Sequence, residues 1–391
     1  MSDKIELFVI AGPLERGGCE RHLITILPRL CQKYTIKVFI CGHTKGVWAS
    51  VLEECGIEVH VLGRETKSKS FTGIQFWRIF WIFKYAFQLK KWITRNHPKI
   101  IHTFLPMPYI VSTFAMMLAR YRGVFVMSRR SLNHYFKKKS FLKRLEEFCH
   151  KKINMACGNS QKVVRQLLKE GIGAEKVRCI YNGIDTSSLQ AYQDCRQEVR
   201  QEMEISPDTV VIVYVANLIS YKGHQDLLQA AELMVKKTHV PFQIWCIGRD
   251  DGILKNLRKT VQQLDLSQRV KFLGPCDDVG RFLWAADAGV LCSHQEGFSN
   301  SLLEKMAAGL PVVATAVGGN ICALSCDSGI LVQPENPLLL AEALIWFLEH
   351  PTQRRQMGKK AQQRLEEFFS LQACVENYFQ LYDELITKLK V

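Results

Sequence analysis

Two series of short apolar runs, each alternating with amphipathic stretches of helical period, constrain this chain more than any other feature. The first series is IELFVIA (5–11), TIKVFIC (35–41), IEVHVL (57–62), KIIHTF (99–104) and GVFVMS (123–128); the second is VVIVYVANL (210–218), FQIWCIG (242–248), VKFLG (270–274), AGVLCS (288–293) and LPVVAT (310–315). Strands this continuously apolar are covered on both faces, and the helical stretches between them supply the crossovers that parallel neighbours need, so each series predicts a doubly wound parallel sheet. The segment AYQDCRQEVRQEMEISPDT between them is polar and poor in strand formers, and reads as the exit from one domain and the entry to another. From Pro337 onward the period is helical with one interruption at Pro351, so the chain closes on two or three helices. A length of 391 residues suits two domains. Open α/β sheets bind ligands beyond the carboxyl ends of their strands, which predicts a site in a cleft faced by both domains.

An apolar fraction of 47% with 23% charged residues excludes a disordered, collagenous or disulfide-stapled chain. The apolar run before Gly12 is too short for a signal peptide and far too short to span a bilayer, which predicts a cytosolic protein. The 14 cysteines fit a reducing compartment: no CxxC pair occurs, and Cys246 and Cys292 lie in strand-like runs where a thiol packs as a small hydrophobe. Cys322 and Cys326, the nearest pair, lack further ligands at useful spacing, so no metal site is expected. Charge is uneven: residues 1–190 hold 32 Lys and Arg against 13 Asp and Glu, the remainder 20 against 24. The basic first half suits a polyanion, whether a phosphorylated substrate, anionic lipid or nucleic acid.

Chemistry concentrates in SHQEGFSNSLLEKMAAG, directly after the strand AGVLC. Ser299 and Asn300 are good helix N-caps, Leu302, Leu303 and Met306 give the helix an apolar face, and Gly309 before Pro311 stops it. The N–H groups of Phe298, Ser299 and Asn300 stand at the positive end of that helix and suit a diphosphate. Glu296 lies in the loop before this end and Glu304 one turn inside it, placed to accept hydrogen bonds from sugar and ribose hydroxyls. Taken alone, two glutamates at this spacing are more often a loop charge and a solvated helix residue.

The stretch from Glu296 to Gly319 resembles the retaining glycosyltransferases of family 4, with their Glu, seven residues, Glu signature inside EGFxNxxLEAMAxGxPVVxTxxGG. It matches at Glu296 to Asn300, Leu303, Glu304, Met306, Ala307, Gly309, Pro311 to Val313, Thr315, Gly318 and Gly319. The resemblance implies a GT-B fold of two Rossmann-like domains: an acceptor domain over 1–190, on which a C-terminal helix of about 371–391 packs back, and a donor domain over 191–370. It implies that Glu296 contacts the donor sugar and Glu304 the ribose, and that Lys222, in YVANLISYKGHQDLLQAAE, holds the diphosphate. Asn217 stands beside that lysine where relatives often carry an arginine. Gly17 and Gly18, in LERGGCERHLITILPRL, resemble the family's GGxE loop and would let backbone approach the ligand closely. Two further departures flank the transfer centre. Arg130, beside Arg129, takes the place of a frequent histidine and cannot act as a base, though it can bind phosphate; His134 and His102 are alternative histidines. Cys322 stands where the closing GGxxE pattern has Glu.

FTGIQFWRIFWIFKYAFQLKKWITRNHPK (71–99) combines aromatic residues with Arg78, Lys84, Lys90 and Lys91, and a second basic stretch follows at 135–152. Such a helix suits the surface of an anionic bilayer, and equally the core of the first domain with a solvated basic face; no nucleic-acid motif accompanies the charge. These features together predict retaining, metal-independent transfer from a nucleoside diphosphate sugar, with no further cofactor, to a hydroxyl of a lipid-linked or glycan acceptor. The setting would be lipopolysaccharide or surface polysaccharide assembly at the cytoplasmic face of the inner membrane. Glu296, Lys222 and Arg130 carry the catalysis in this reading. A nucleotide-sugar epimerase, or a non-catalytic polyanion-binding protein of the same fold, are the rivals.

Overall fold

The computed structural model of the chain describes residues 4–15, 17–63, 75–131, 141–324 and 327–389. Two compact units emerge, 1–183 with 371–391 and 184–370. The first runs β1 (Ile5–Ala11), α1 (Gly18–Leu30), β2 (Tyr34–Ile40), α2 (Ala49–Glu54), β3 (Glu58–Val61), α3 (Gln75–Asn96), β4 (Ile100–Phe104), α4 (Pro106–Ala119), β5 (Val124–Arg129), α5 (Phe141–His150), β6 (Met155–Gly158), α6 (Gln161–Lys169) and β7 (Val177–Cys179). Among the described residues these form a seven-stranded sheet in the order β3-β2-β1-β4-β5-β6-β7, with every recorded pairing parallel.

The alternation of side chains along each strand sorts the core into two layers. Leu7, Val9, Ile100, Phe104, Val124 and Val126 pack toward α1 and α2, whereas Phe8, Ile10, Ile101, Phe125 and Met127 pack toward α3 and α4. Because both faces are covered, the strands carry no polar alternation, which is why they read as continuous apolar runs.

The second unit runs α7 (Ser187–Gln190), α8 (Arg196–Glu202), β8 (Val210–Val215), α9 (His224–Lys237), β9 (Phe242–Ile247), α10 (Leu254–Gln263), β10 (Val270–Gly274), α11 (Val279–Ala285), β11 (Ala288–Leu291), α12 (Asn300–Ala307), β12 (Val312–Thr315), α13 (Asn320–Ala323), β13 (Gly329–Val332), α14 (Pro337–Glu349) and α15 (Pro351–Phe368). Its described strands make a six-stranded parallel sheet, β10-β9-β8-β11-β12-β13. Val211, Val213, Trp245 and Ile247 bury one face against α8 and α11. The chain crosses after Gly183, earlier than residue 190, because α7 and its neighbours pack on α11: Trp284 Nε1 donates to the Leu189 carbonyl at 2.6 Å, and the Tyr192 hydroxyl donates to Asp278 at 3.0 Å. The edge strand β13, four residues long, was not among the runs read from the sequence.

After Ser370 the chain returns to the first unit as α16 (Leu371–Leu389). Its Leu371, Cys374, Val375, Tyr378, Leu381, Tyr382 and Leu385 recur at three- and four-residue spacing and are all buried in the layer that holds α1. At about 1.5–3 kcal/mol for each fully buried large apolar side chain, this one helix is a principal stabiliser of the first unit.

Candidate functional site

In the second unit Lys222 and Glu296 meet: Nζ and Oε1 are 2.5 Å apart, with side chains only 18% and 11% exposed. Lys222 closes a short 3₁₀ turn, Ser220–Lys222, between β8 and α9. That turn is tied to the segment after β11, since His294 N donates to the Tyr221 carbonyl at 2.7 Å, and to β8, whose Tyr214 hydroxyl donates to the Lys222 carbonyl. Glu296 lies in the loop from β11 to α12, so two crossover loops of one sheet deliver the pair.

The same loop runs into α12, whose N-cap is Ser299: its hydroxyl accepts from Leu302 N at 3.4 Å. Asn300 is the first helical residue. Phe298 is buried, its ring 5.3 Å from that of Phe369, and it acts as an anchor for the loop. Glu304 is 4% exposed on the inner side of α12, which rejects the solvated alternative. Gly318 has φ +54, and a Cβ there would overlap the Glu296 carbonyl, so the glycine pair lies directly against the loop that carries Glu296. The site thus combines a cation, two carboxylates and a capped helix terminus, the groups that hold a diphosphate and hydroxyl-rich partners.

Asn217 is exposed beyond β8, where its amide donates to Asp251 at 3.3 Å and its carbonyl oxygen accepts from Arg249 N at 3.4 Å. Arg249, missed in the sequence, thus meets Asn217 through its backbone N–H, while its side-chain Nε is paired with Asp251 at 2.7 Å. Cys322 lies on α13 and its carbonyl accepts from Arg364 at 2.7 Å. Cys326 lies outside the described residues, and the described cysteines are free thiols.

In the first unit Gly17 is the extended N-cap of α1 and Gly18 its first residue; a Cβ on Gly18 would meet nothing within 4 Å, so open space rather than packing surrounds it. Arg129 and Arg130, adjacent at the end of β5, differ completely. Arg129 is paired with Glu146 and Glu170, each at 2.6 Å, in a buried network that includes Lys143 and His150. Against the burial that would raise it, bonds from His150, Arg129 and Lys143 hold the Glu170 carboxyl at about 2.

Arg130 has only neutral partners among the described residues: the Ile180 carbonyl at 3.4 Å, the Tyr378 hydroxyl at 3.3 Å, the Asn182 amide oxygen, and His22 Nδ1 at 2.9 Å. His22 accepts from Arg130, so its other nitrogen carries the proton and donates to the Tyr378 hydroxyl at 3.1 Å. Burial first, and then Arg130, holds His22 well below its ordinary range. His102 is buried between the Tyr382 hydroxyl at 2.6 Å and Ser128 Oγ at 2.8 Å, and burial with Arg130 lowers its pKa to about 3. It is a neutral structural histidine. His134 lies outside the described residues. A pocket at the ends of β4 and β5 is lined by Leu105, Tyr109, Ser128 and Arg130 among others; Leu105 holds φ +75, an uncommon conformation for a branched residue.

In α3, Ile82, Tyr85, Ala86, Leu89 and Ile93 face the core, while Phe80, Phe83 and Phe87 are 53%, 46% and 53% exposed at helical spacing. The Phe83 ring lies 5.4 Å from that of Phe114 in α4, where Met117 and Leu118 are also exposed. Lys84 stacks over Trp81 at 4.4 Å. The Arg78 side chain, residues 71–74 and the basic stretch at 135–140 lie outside the described residues. Among those described, no helix is long and apolar enough to cross a membrane.

Two family models match the chain: glycosyltransferase family 4 over residues 16–188 and glycosyl transferases group 1 over residues 196–364. Among curated proteins, the chain is 29% identical over 211 residues to N-acetyl-alpha-D-glucosaminyl L-malate synthase of Bacillus anthracis, covering 54% of each chain. It is 32% identical over 238 residues to D-inositol 3-phosphate glycosyltransferase of Corynebacterium jeikeium, covering 58% of this chain and 56% of that one. The chain spans about half the length of the curated relatives it matches. Among solved structures, Anabaena Alr3699/HepE in complex with UDP gives a TM-score of 0.82 at 19% identity over 97% of this chain and 100% of that one, a likeness that gives the GT-B fold.

Proposed function

Because this chain belongs to glycosyltransferase family 4, the glycosyl transferases group 1, we propose that it transfers a sugar, with retention, from a nucleoside diphosphate sugar to a hydroxyl of a membrane-associated acceptor. The observation that carries this reading is the Lys222–Glu296 pair at the head of α12 with Glu304 buried behind it. When a diphosphate enters, the Lys222 ammonium exchanges the Glu296 carboxylate for phosphate oxygens, and Glu296 is released to accept hydrogen bonds from the donor sugar. Glu304 receives the ribose hydroxyls, and Ser299, Asn300 and the backbone of Phe298 present the positive helix end to the leaving group. Stabilising the charge that develops on the diphosphate, whose leaving oxygen takes up the proton of the acceptor hydroxyl, then supplies most of the catalysis, with positioning the remainder. Asn217 stands on the same loop after β8 as Lys222, and Gly18 leaves room for ligand at the first sheet, whereas the space beside Gly17 is filled by the Glu20 carboxylate. No metal ion is assigned a step.

Arg130, a buried cation whose described partners are all neutral, is assigned to an anionic group of the acceptor. Acceptors named for the curated relatives, L-malate and D-inositol 3-phosphate, are themselves anionic. The exposed Phe80, Phe83 and Phe87 beside Lys84, on a unit rich in Lys and Arg, suit an anionic bilayer at the cytoplasmic face of the membrane. A lipid-linked sugar of lipopolysaccharide or another surface polysaccharide is the acceptor class that combines the two.

The test is a screen of UDP-, GDP- and ADP-sugars for hydrolysis and thermal stabilisation, where a bound ligand at a hundred times its Kd adds about 2.7 kcal/mol. A protein that binds none of them overturns the reading. Flotation with anionic vesicles tests the membrane surface: wild type is retained at low salt, and the Phe80→Ser, Phe83→Ser, Phe87→Ser variant is not. Equal behaviour of the two overturns that assignment.

A further inference from the structure

Lys305, next to Glu304 on α12, is completely buried. A lysine in such a place must either pair its ammonium with a carboxylate or keep its amine neutral. Among the described residues Nζ bonds only to Ser301, to its carbonyl at 3.1 Å and its Oγ at 3.0 Å; the Ser301 hydroxyl donates onward to the Val215 carbonyl at 2.8 Å. The stem of Lys305 fills the space above Gly289 in β11, where any Cβ would overlap it. A glycine and a serine on different elements thus accommodate one amine directly beneath the first turn of α12. The charged groups that face it are Glu304 on its own helix, Lys222 on the turn after β8 and Glu296 on the loop after β11, together with the Cys292 thiol.

We propose that Lys305 is a positioning residue of the donor site, an amine that takes up a proton from solvent as the nucleoside diphosphate binds and then, as an ammonium, fixes Ser301 and the first turn of α12 against the ligand. The inference rests on reading that turn as the diphosphate site. In the ligand-free molecule burial, opposed by Glu304 and reinforced by Lys222, brings the amine down to about 8. Bound negative charge raises its affinity for a proton, so binding carries proton uptake between the two values and weakens as pH rises past the lower one. Three neighbouring groups lie outside that range: burial holds His224 at about 4 and Cys292 at about 12, and pushes Tyr214 well above the ordinary tyrosine range.

The experiment is calorimetry with UDP, GDP and ADP from pH 7.5 to 9.5, where the nucleotide's own second phosphate ionisation, near 6, is complete, in two buffers of different ionisation enthalpy. Wild type is expected to take up between about half a proton and one proton at pH 8.5, with Kd rising up to about tenfold from pH 8 to pH 9. Lys305→Met, and Lys305→Gln, which keeps a donor for Ser301 without the charge, lose both the uptake and the pH slope while retaining the wild-type circular dichroism. Wild type that binds nucleotide without proton uptake overturns the inference and leaves the donor site standing. Wild type that binds none of the three nucleotides overturns the donor site, and this inference with it.

Discussion

Lys222 and Glu296, 74 residues apart in sequence, share an ion pair at 2.5 Å in which each largely buried group is the other's counter-charge. Removing one partner leaves the other exposed to the full cost of a poorly solvated charge, so the two substitutions are not equivalent to deleting a surface salt bridge.

Lys222→Ala should therefore reduce kcat/KM by about a hundred- to a thousandfold, the scale of losing one preorganised charge stabiliser, and should also weaken binding of free nucleoside diphosphate. Glu296→Gln relieves Lys222 of its competitor: diphosphate binding is retained or tightened while transfer is lost. Steady-state kinetics beside titration calorimetry separate the two outcomes.

Gly318→Ala imposes a side chain at φ +54 against the Glu296 carbonyl. The expected cost is about 1–3 kcal/mol, read from the denaturant midpoint of the second unit, with a larger loss in donor affinity because the loop carrying Glu296 must shift.

Burial first, and Arg130 after it, depresses both His22 and His102, and Arg130→Met removes the second contribution. Proton NMR titration should show the His102 pKa moving upward from about 3, while burial still keeps it below the ordinary imidazole value. If Arg130 serves the acceptor, KM for acceptor rises and KM for donor does not.

The Glu170 network gives the first unit an acid limit. The folded-state carboxyl is held at about 2 against an ordinary value of 4.5; a depressed carboxylate contributes stability above the unfolded value and loses it as pH falls through the folded one. About 3 kcal/mol should disappear between roughly pH 4.5 and pH 2. Glu170→Gln should flatten that part of the stability profile, followed by tryptophan fluorescence in urea.

What the sequence could carry was what is local. Both sheets were legible because strands covered on two faces are continuous apolar runs, and the Glu296 to Gly319 stretch was legible because a strand, a loop, a capped helix and a glycine pair lie consecutively along the chain. The short strands β6, β7 and β13 were not legible, since three or four residues carry little pattern of their own. Glu304 was ambiguous for the same reason: one acidic residue on a helix has the same local signature whether it faces water or the interior.

Pairings between distant segments were decided only by the tertiary structure. No spacing rule joins Arg130 to Tyr378, 248 residues away, or His102 to Tyr382, 280 residues away; they meet because α16 returns to cover the sheet of the first unit. Nor does the sequence distinguish Arg129 from Arg130, adjacent and chemically identical, of which one is bound to two carboxylates and the other to neutral partners. Residue type and periodicity fix which face of an element is apolar, whereas the environment of a buried charge depends on what the rest of the chain brings to it, and that exists only once the chain has folded.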